Sequence, residues 1–368
     1  MNDIKTILKE LTSLSGVSGH EEEVARYMYE KFKGITDNVA IDNLGNIVCH
    51  ISSEVKNAPK VLVFGHMDEI GLMIKKVEKN GFLRFERIGG VNRQALPGTH
   101  VVVVNSQGTK VNGVIGLKSH HIMKQDEKSR IPEIEEMYID IGSFSDANVY
   151  ERGIHVGCFA TFKPSFTELN EDIVCSKALD DRAACTVLLR LAEELSKEVD
   201  KLNSEVYLVA SVQEEFNIRG IMPMVRKINP DIAVGIDITP SFDTPELNCT
   251  ASDVVLGKGP AITYMNFHGR GTLAGIIPSY KLTEFIEKVA VQNDIKFQRE
   301  VITGVITETG FICIEGENGI ITGNLSIPVR YSHTPIEVAD LRDIDMAIKL
   351  LLNVIKEIKS FNSFRFIS

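Results

Sequence analysis

One interruption constrains the fold of this chain more than any other feature of its sequence. At both ends, strand-like apolar runs alternate with helical periodicity, the pattern of an α/β layer structure. Across residues 71–163 that alternation stops. Short strand-like runs recur instead at 82–87, 100–105, 111–115 and 137–141, separated by Gly, Pro and Asn turns. Runs this short and closely spaced predict a small all-β unit. The chain therefore divides into an α/β domain from residues 1–70 and 164–368, with a β-rich domain of 71–163 inserted into it. Its 368 residues suit two domains better than one core.

Within the α/β part, the spacing predicts helix, turn and helix at the start. Ser18 and Glu21 have capping-box spacing, and Val24, Tyr27, Met28 and Phe32 fall on one face. A strand pair is expected around Asn43-Leu44-Gly45-Asn46, followed by a strand over 61–64 whose unbroken apolar character suits burial on both faces. Further strands are expected over 205–211 and 232–238, and helical spacing over 181–195. In the last helix Leu341, Ile344, Ile348, Leu351, Ile355 and Ile358 form one stripe.

Bulk properties exclude several classes. The net charge of −10 argues against a nucleic-acid partner, which needs a basic face. No apolar run reaches membrane length, and residues 1–5 do not read as a signal peptide, so a cytoplasmic location is expected. The six cysteines are scattered without a Cys-x-x-Cys pair, which points to reduced thiols rather than a disulfide framework or zinc ribbon.

The chemistry gathers at strand ends. His66 and Asp68 follow the 61–64 strand, and Asp180-Asp181 precedes a helix. Glu214-Glu215 follows 206–211, Asp237 follows 232–236, and His333 follows 325–331. In an open α/β sheet, ligands bind at the carboxyl ends of the strands. Two histidines with several carboxylates and no thiolate form a donor set for Zn²⁺, Co²⁺ or Mn²⁺. The excess of carboxylates points to two ions about 3.5–4 Å apart sharing a bridge. Taken singly, each motif has a plainer reading: His-x-Asp as a hydrogen-bonded pair, Glu-Glu as a solvated face. Their conjunction overturns those readings.

The motifs Gly65-His66-Met67-Asp68-Glu69-Ile70-Gly71, Ala178-Leu179-Asp180-Asp181-Arg182 and Gln213-Glu214-Glu215, with the run from Ile327 to Pro335, resemble the glutamyl or deblocking aminopeptidases. These are the family forty-two metallopeptidases, whose members build tetrahedral particles. The same likeness extends to Ser15–Glu21, Tyr138–Gly142 and Gly257–Pro260, and so covers nearly the whole chain. It implies a zinc-aminopeptidase-like α/β fold, with a mixed central sheet flanked by helices and the β-insert serving dimerisation. It further implies that His66 and Asp237 hold one metal, that Glu215 and His333 hold the other, and that Asp180 bridges them. Glu214 would be the general base, Asp68 would orient His66, and the Asp180–Asp181 peptide would be cis. Short peptides would be the substrates, and the chain would self-associate, most simply into a dodecamer, with no nucleic-acid or membrane partner. If Glu214 and Glu215 lie at a strand end, their side chains point to opposite sides, and residue order alone permits either assignment of base and ligand.

Asn217 stands where the family usually has glycine, Glu308 lies in a segment where relatives usually read Gly-Thr-Asp-Ala, and Thr334 replaces a serine. The first two bear on the pocket wall. Among the other histidines, His268 is the one to watch, because Gly269 and Gly271 make its loop permissive. His20, His120 and His121 are expected to be structural or solvated. Alternative functions are a related dinuclear hydrolase (carboxypeptidase or N-acyl-amino-acid deacylase), a glycosidase working with two carboxylates, and a non-catalytic scaffold.

Overall fold

The computed structural model describes residues 1–247, 252–269 and 275–367. A twelve-stranded mixed sheet forms its spine. At its centre four strands run parallel, in the order Glu205–Ser211, Lys60–His66, Ile232–Pro240 and Ile321–Arg330. Antiparallel strands flank them. Val39–Ile41 and Ile47–Ile51 lie on one side, and Glu337–Asp340, Ile173–Ser176 and Thr167–Glu168 on the other.

The unbroken apolar run of the second parallel strand has a direct cause. Val61 and Val63 face one layer of helices, built from Asn2–Ser13, Leu179–Ser196, Tyr280–Gln292 and Leu341–Glu357. Leu62 and Phe64 face the opposite core, against Met224, Val225 and Ile312. A strand covered on both faces has no polar side to display. In the final helix the whole expected stripe from Leu341 to Ile358 is buried.

Strands Gly71–Val77, Leu83–Ile88, His100–Val104, Lys110–Ile115, Ile139–Asp140 and Phe159–Phe162 close into a barrel. Leu72, Ile74, Phe85, Val101, Val103 and Phe162 fill its interior. Closure removes the exposed edges that such short strands would otherwise present.

One expected detail does not form. The helix Glu22–Lys33 has Glu21 at its N-cap, without a side-chain cap bond. The Ser18 hydroxyl instead donates to Asp68 at 2.6 Å. Both side chains of the expected capping box are thus turned away from the helix.

The helix Leu179–Ser196 is brought against the sheet by Gly65, where a Cβ would lie 2.4 Å from that of Ala184. Beneath its first turn lies a buried charge cluster. Glu69 accepts from Lys177 Nζ with both oxygens at 2.7 Å and from the Gly16 amide, while the Arg182 guanidinium stands 3.6 Å away. Lys177 also donates to the carbonyl of Leu14, and Arg182 to that of Leu11. The cluster ties the amino-terminal segment to the strand end that carries His66. Glu69→Ala would leave two buried cations uncompensated and is expected to cost about 3–5 kcal/mol in chemical denaturation. Lys5→Ala, which breaks the exposed pair with Glu168, should cost far less, because solvent screens that pair. Equal losses would refute this account of the cluster.

Candidate metal centre

Parallel strand register gathers the site. Ser211 pairs with His66, the last residue of its strand, and Gly235 pairs with Phe64. Two residues further along, Asp237 therefore stands level with His66. Asp237 follows the apolar run 232–236 but lies within the strand Ile232–Pro240, as the expected strand over 232–238 has it. It still reaches the sheet edge, because its strand overhangs the neighbouring one.

The loops beyond those ends supply the other groups. Ala178 adopts a left-handed conformation before the helix, and the Asp180–Asp181 peptide is cis. Asp181 accepts from the Ala184 and His66 amides, which locks the helix start to the strand end. Asp180 is thereby placed between two imidazoles: Oδ1 lies 3.2 Å from His66 Nε2, and Oδ2 lies 3.3 Å from His333 Nε2. Asp237 and Glu214 each approach His66 Nε2 to 4.0 Å, and Glu215 approaches His333 Nε2 to 3.7 Å. The residues named from sequence form two groups that share Asp180. One is His66, Asp180 and Asp237; the other is Asp180, Glu215 and His333, with donor atoms within 4.8 Å of one another in each.

Both imidazoles are oriented by backbone carbonyls. His66 Nδ1 lies 3.0 Å from the Asp68 carbonyl, and His333 Nδ1 lies 3.1 Å from the Gly90 carbonyl. A carbonyl can only accept, so each Nδ1 carries the proton. In the neutral ring each Nε2 then offers its lone pair to the cluster, the usual arrangement of a metal-binding histidine.

Asp68 does more than orient His66. Its carboxylate stands 3.5 Å from Nδ1 and accepts the amides of Glu214 and Glu215, both at 3.0 Å. Those two glutamates lie in a loop beyond Ser211, not on strand, so strand alternation does not govern where they point.

Electrostatics set the character of the site. Burial opposes ionisation of Asp180, yet the flanking His333 and His66 imidazoles hold its carboxyl well below the usual range. Burial pushes Glu215 up to about 7 and raises Glu214 and Asp237 well above ordinary carboxylates. Buried carboxylates outnumber the imidazoles, and such a set is neutralised either by protons or by cations. The lone pairs, the shared Asp180 and this excess of acidic oxygen fit divalent cations.

A cavity of about 800 Å³ opens onto these groups. Ile218, Ile238, Pro240, Val305, Ile306 and Phe311 line its apolar walls, and His268 also lines it. Asn217 stands on the wall with φ +66°, a conformation glycine adopts freely and asparagine tolerates best among other residues. Glu308 lies behind the wall, buried, and accepts from Ser211. His120 and His121 stay exposed and away from the cavity. Gly271 and Cys249 lie outside the described residues.

Two participants escape sequence reading. Glu337 is buried and accepts the amides of both Asp180 and His333, at 3.0 and 2.9 Å. Its signal is a carboxylate four residues after His333 at the start of a strand. Gly90 gives no signal, because it acts through its carbonyl.

The sequence profile of the M42 glutamyl aminopeptidase family matches residues 45–350. An Escherichia coli K12 protein described as a putative aminopeptidase, SgcX, is 46% identical over 348 residues, covering 95% of this chain and 92% of its own length. Among solved structures, aminopeptidase APDkam598 from Desulfurococcus kamchatkensis superposes with a TM-score of 0.91 at 36% identity, over 99% of this chain and 97% of that one. The Pyrococcus horikoshii TET1 peptidase, which can assemble into a tetrahedron or a large octahedral shell, superposes with a TM-score of 0.84 at 28% identity. That match covers 96% of this chain and 100% of the other.

A Cβ on Gly90 would lie 2.5 Å from His333 Nδ1, so Gly90→Ala must push the ring from its place. Metal affinity at the Asp180–Glu215–His333 group should fall about 10–100-fold, with the His66 group little changed. Calorimetric titration of the metal-stripped protein would show one weakened step. Two unaltered steps would show that the Gly90 contact is unimportant.

Proposed function

The chain belongs to the M42 glutamyl aminopeptidase family, and from that premise we propose that it removes the first residue of short peptides at a two-metal centre. Divalent metal dependence comes with the family. The pair of ions, their identity as Zn²⁺, Co²⁺ or Mn²⁺, and each residue's role are our reading. The observation that carries it is Asp180, whose two oxygens face the two histidine Nε2 atoms. In this reading Asp180 bridges, His66 and Asp237 complete one site, and Glu215 and His333 complete the other. Two divalent ions bound there would polarise the scissile carbonyl, acidify a water and bind the free amino terminus.

The side chains of the chain do the rest. Glu214 accepts a proton from the attacking water and returns it to the departing amine, which suits a carboxyl whose proton affinity burial has raised. Asp68 fixes the backbone of both glutamates, so that Glu214 and Glu215 keep separate tasks. The apolar walls around Ile218, Ile238 and Phe311 suit uncharged first residues. We place the enzyme in the cytoplasm, where thiols such as the buried Cys49 and Cys185 stay reduced. Among the described residues no helix is long and apolar enough to cross a membrane.

Chelation should abolish turnover of aminoacyl chromogenic substrates, and Zn²⁺, Co²⁺ or Mn²⁺ should restore it with near two ions per chain. Glu214→Gln should keep both ions while turnover falls about 10²–10⁴-fold. Glu215→Gln should weaken metal binding, with partial rescue by excess metal. Metal loss in Glu214→Gln alongside a fully loaded, inert Glu215→Gln would reverse the roles.

We further assign residues 71–163 to dimer formation and expect assembly of dimers into a dodecamer. The TET1 likeness supports this, as do the exposed apolar side chains of Phe144, Tyr150 and Val156 on the insert. Solution scattering should give a particle of that size. A fully active monomer would remove the assignment.

A further inference from the structure

The loop that carries Glu214 and Glu215 is held in place by other segments. Gln213, Asn217 and Ile218 have positive φ, of 55°, 66° and 50°. For non-glycine residues, and above all β-branched Ile218, such backbone persists only where surrounding structure imposes it.

The imposing contacts form an ordered series. Four consecutive amides at the loop's start are each accepted by a side-chain oxygen. The Val212 amide goes to Asn46 Oδ1 at 3.1 Å and the Gln213 amide to Glu21 Oε1 at 3.1 Å. The Glu214 and Glu215 amides go to the two oxygens of Asp68. Asn46 also donates to the Gly220 carbonyl at 2.8 Å, and so closes the loop's far end. Asp68 needs no new explanation, and Asn46 anchors the loop's hinge at a strand pair. Glu21 is different. It comes from the amino-terminal segment, is buried, and accepts with the same oxygen from the Gly19 amide at 2.8 Å. A buried carboxylate that forgoes its helix-capping bond and binds the amide before Glu214 has a use outside its own helix.

We propose that Glu21 is a positioning residue for Glu214. By holding the Gln213 amide it fixes the left-handed turn from which the Glu214 side chain departs, and so sets where the proton-accepting oxygens lie. The proposal rests on the reading of Glu214 as proton carrier. Oε1 makes both contacts, so an amide oxygen can take its place, whereas an apolar side chain leaves the half-buried Gln213 amide without its partner.

The test compares Glu21→Gln, Glu21→Leu and the smaller Glu21→Ala in the assembled, metal-loaded protein. Hydrogen exchange over residues 212–217, kcat, KM and bound metal are read together. In Glu21→Leu or Glu21→Ala, whichever folds, exchange of the Gln213 to Glu215 amides should quicken about tenfold or more. kcat should fall about 10–100-fold, a fraction of the worth of a general base, with KM within about threefold. Glu21→Gln should return both readouts to within about threefold of the wild type. Unchanged exchange with kcat within threefold in the apolar variants overturns the proposal, as does a Glu21→Gln variant as impaired as Glu21→Leu. The exchange readout needs no substrate. An inactive wild-type protein would therefore count against the peptidase reading, and the amides would still decide the role of Glu21.

Discussion

Everything in this site depends on where one carboxylate is put. Asp180 presents an oxygen to each of two imidazoles that come from distant parts of the chain, one at a strand end and one in a turn beyond another strand. The parallel register sets His66 and Asp237 side by side, and the helix start then carries Asp180 over them. Glu337 closes the arrangement from beneath by holding the backbone of Asp180 and His333 together. No single element makes the centre. It exists because four parallel strands end at one edge, and because charge buried there is tolerable only when shared with histidines and cations.

The sequence showed the side chains better than their supports. His66, Asp180, Glu215, Asp237 and His333 were readable through the conjunction of acid and imidazole at several strand ends and through the family resemblance, although each motif alone has a plainer use. The strand over 61–64 was readable because burial on both faces leaves only apolar residues. The Ser18–Glu21 spacing misled, because a capping box and a donor and an acceptor that serve other segments use the same residue types at the same separation. In the fold those side chains serve Asp68 and Gln213 instead. Gly90 was invisible because a carbonyl has no letter in the sequence, and its glycine identity becomes meaningful only once His333 is seen where a Cβ would lie. The positions of Glu214 and Glu215 were misjudged in their cause. A strand-end alternation was assumed, whereas a loop of left-handed residues sets their directions.

The two departures expected near the pocket wall follow the same logic. Asn217 occupies a left-handed position that favours glycine and places an amide on the cavity wall. Glu308 does not reach the cavity lining. It is buried against Ser211, at the end of the strand that pairs with His66. The first departure thus alters what a substrate meets. The second alters packing behind the site.

The barrel is more than an attachment to this machinery. Gly90, just beyond one of its strands, supplies the carbonyl that fixes the His333 tautomer. Phe159, within another of its strands, stacks on His20 at a ring separation of 4.6 Å. His20 precedes Glu21, and Glu21 holds the amide before Glu214. The insert therefore touches the centre both through a proposed metal ligand and through the segment that sets the proposed base. A barrel that served assembly alone would need neither contact.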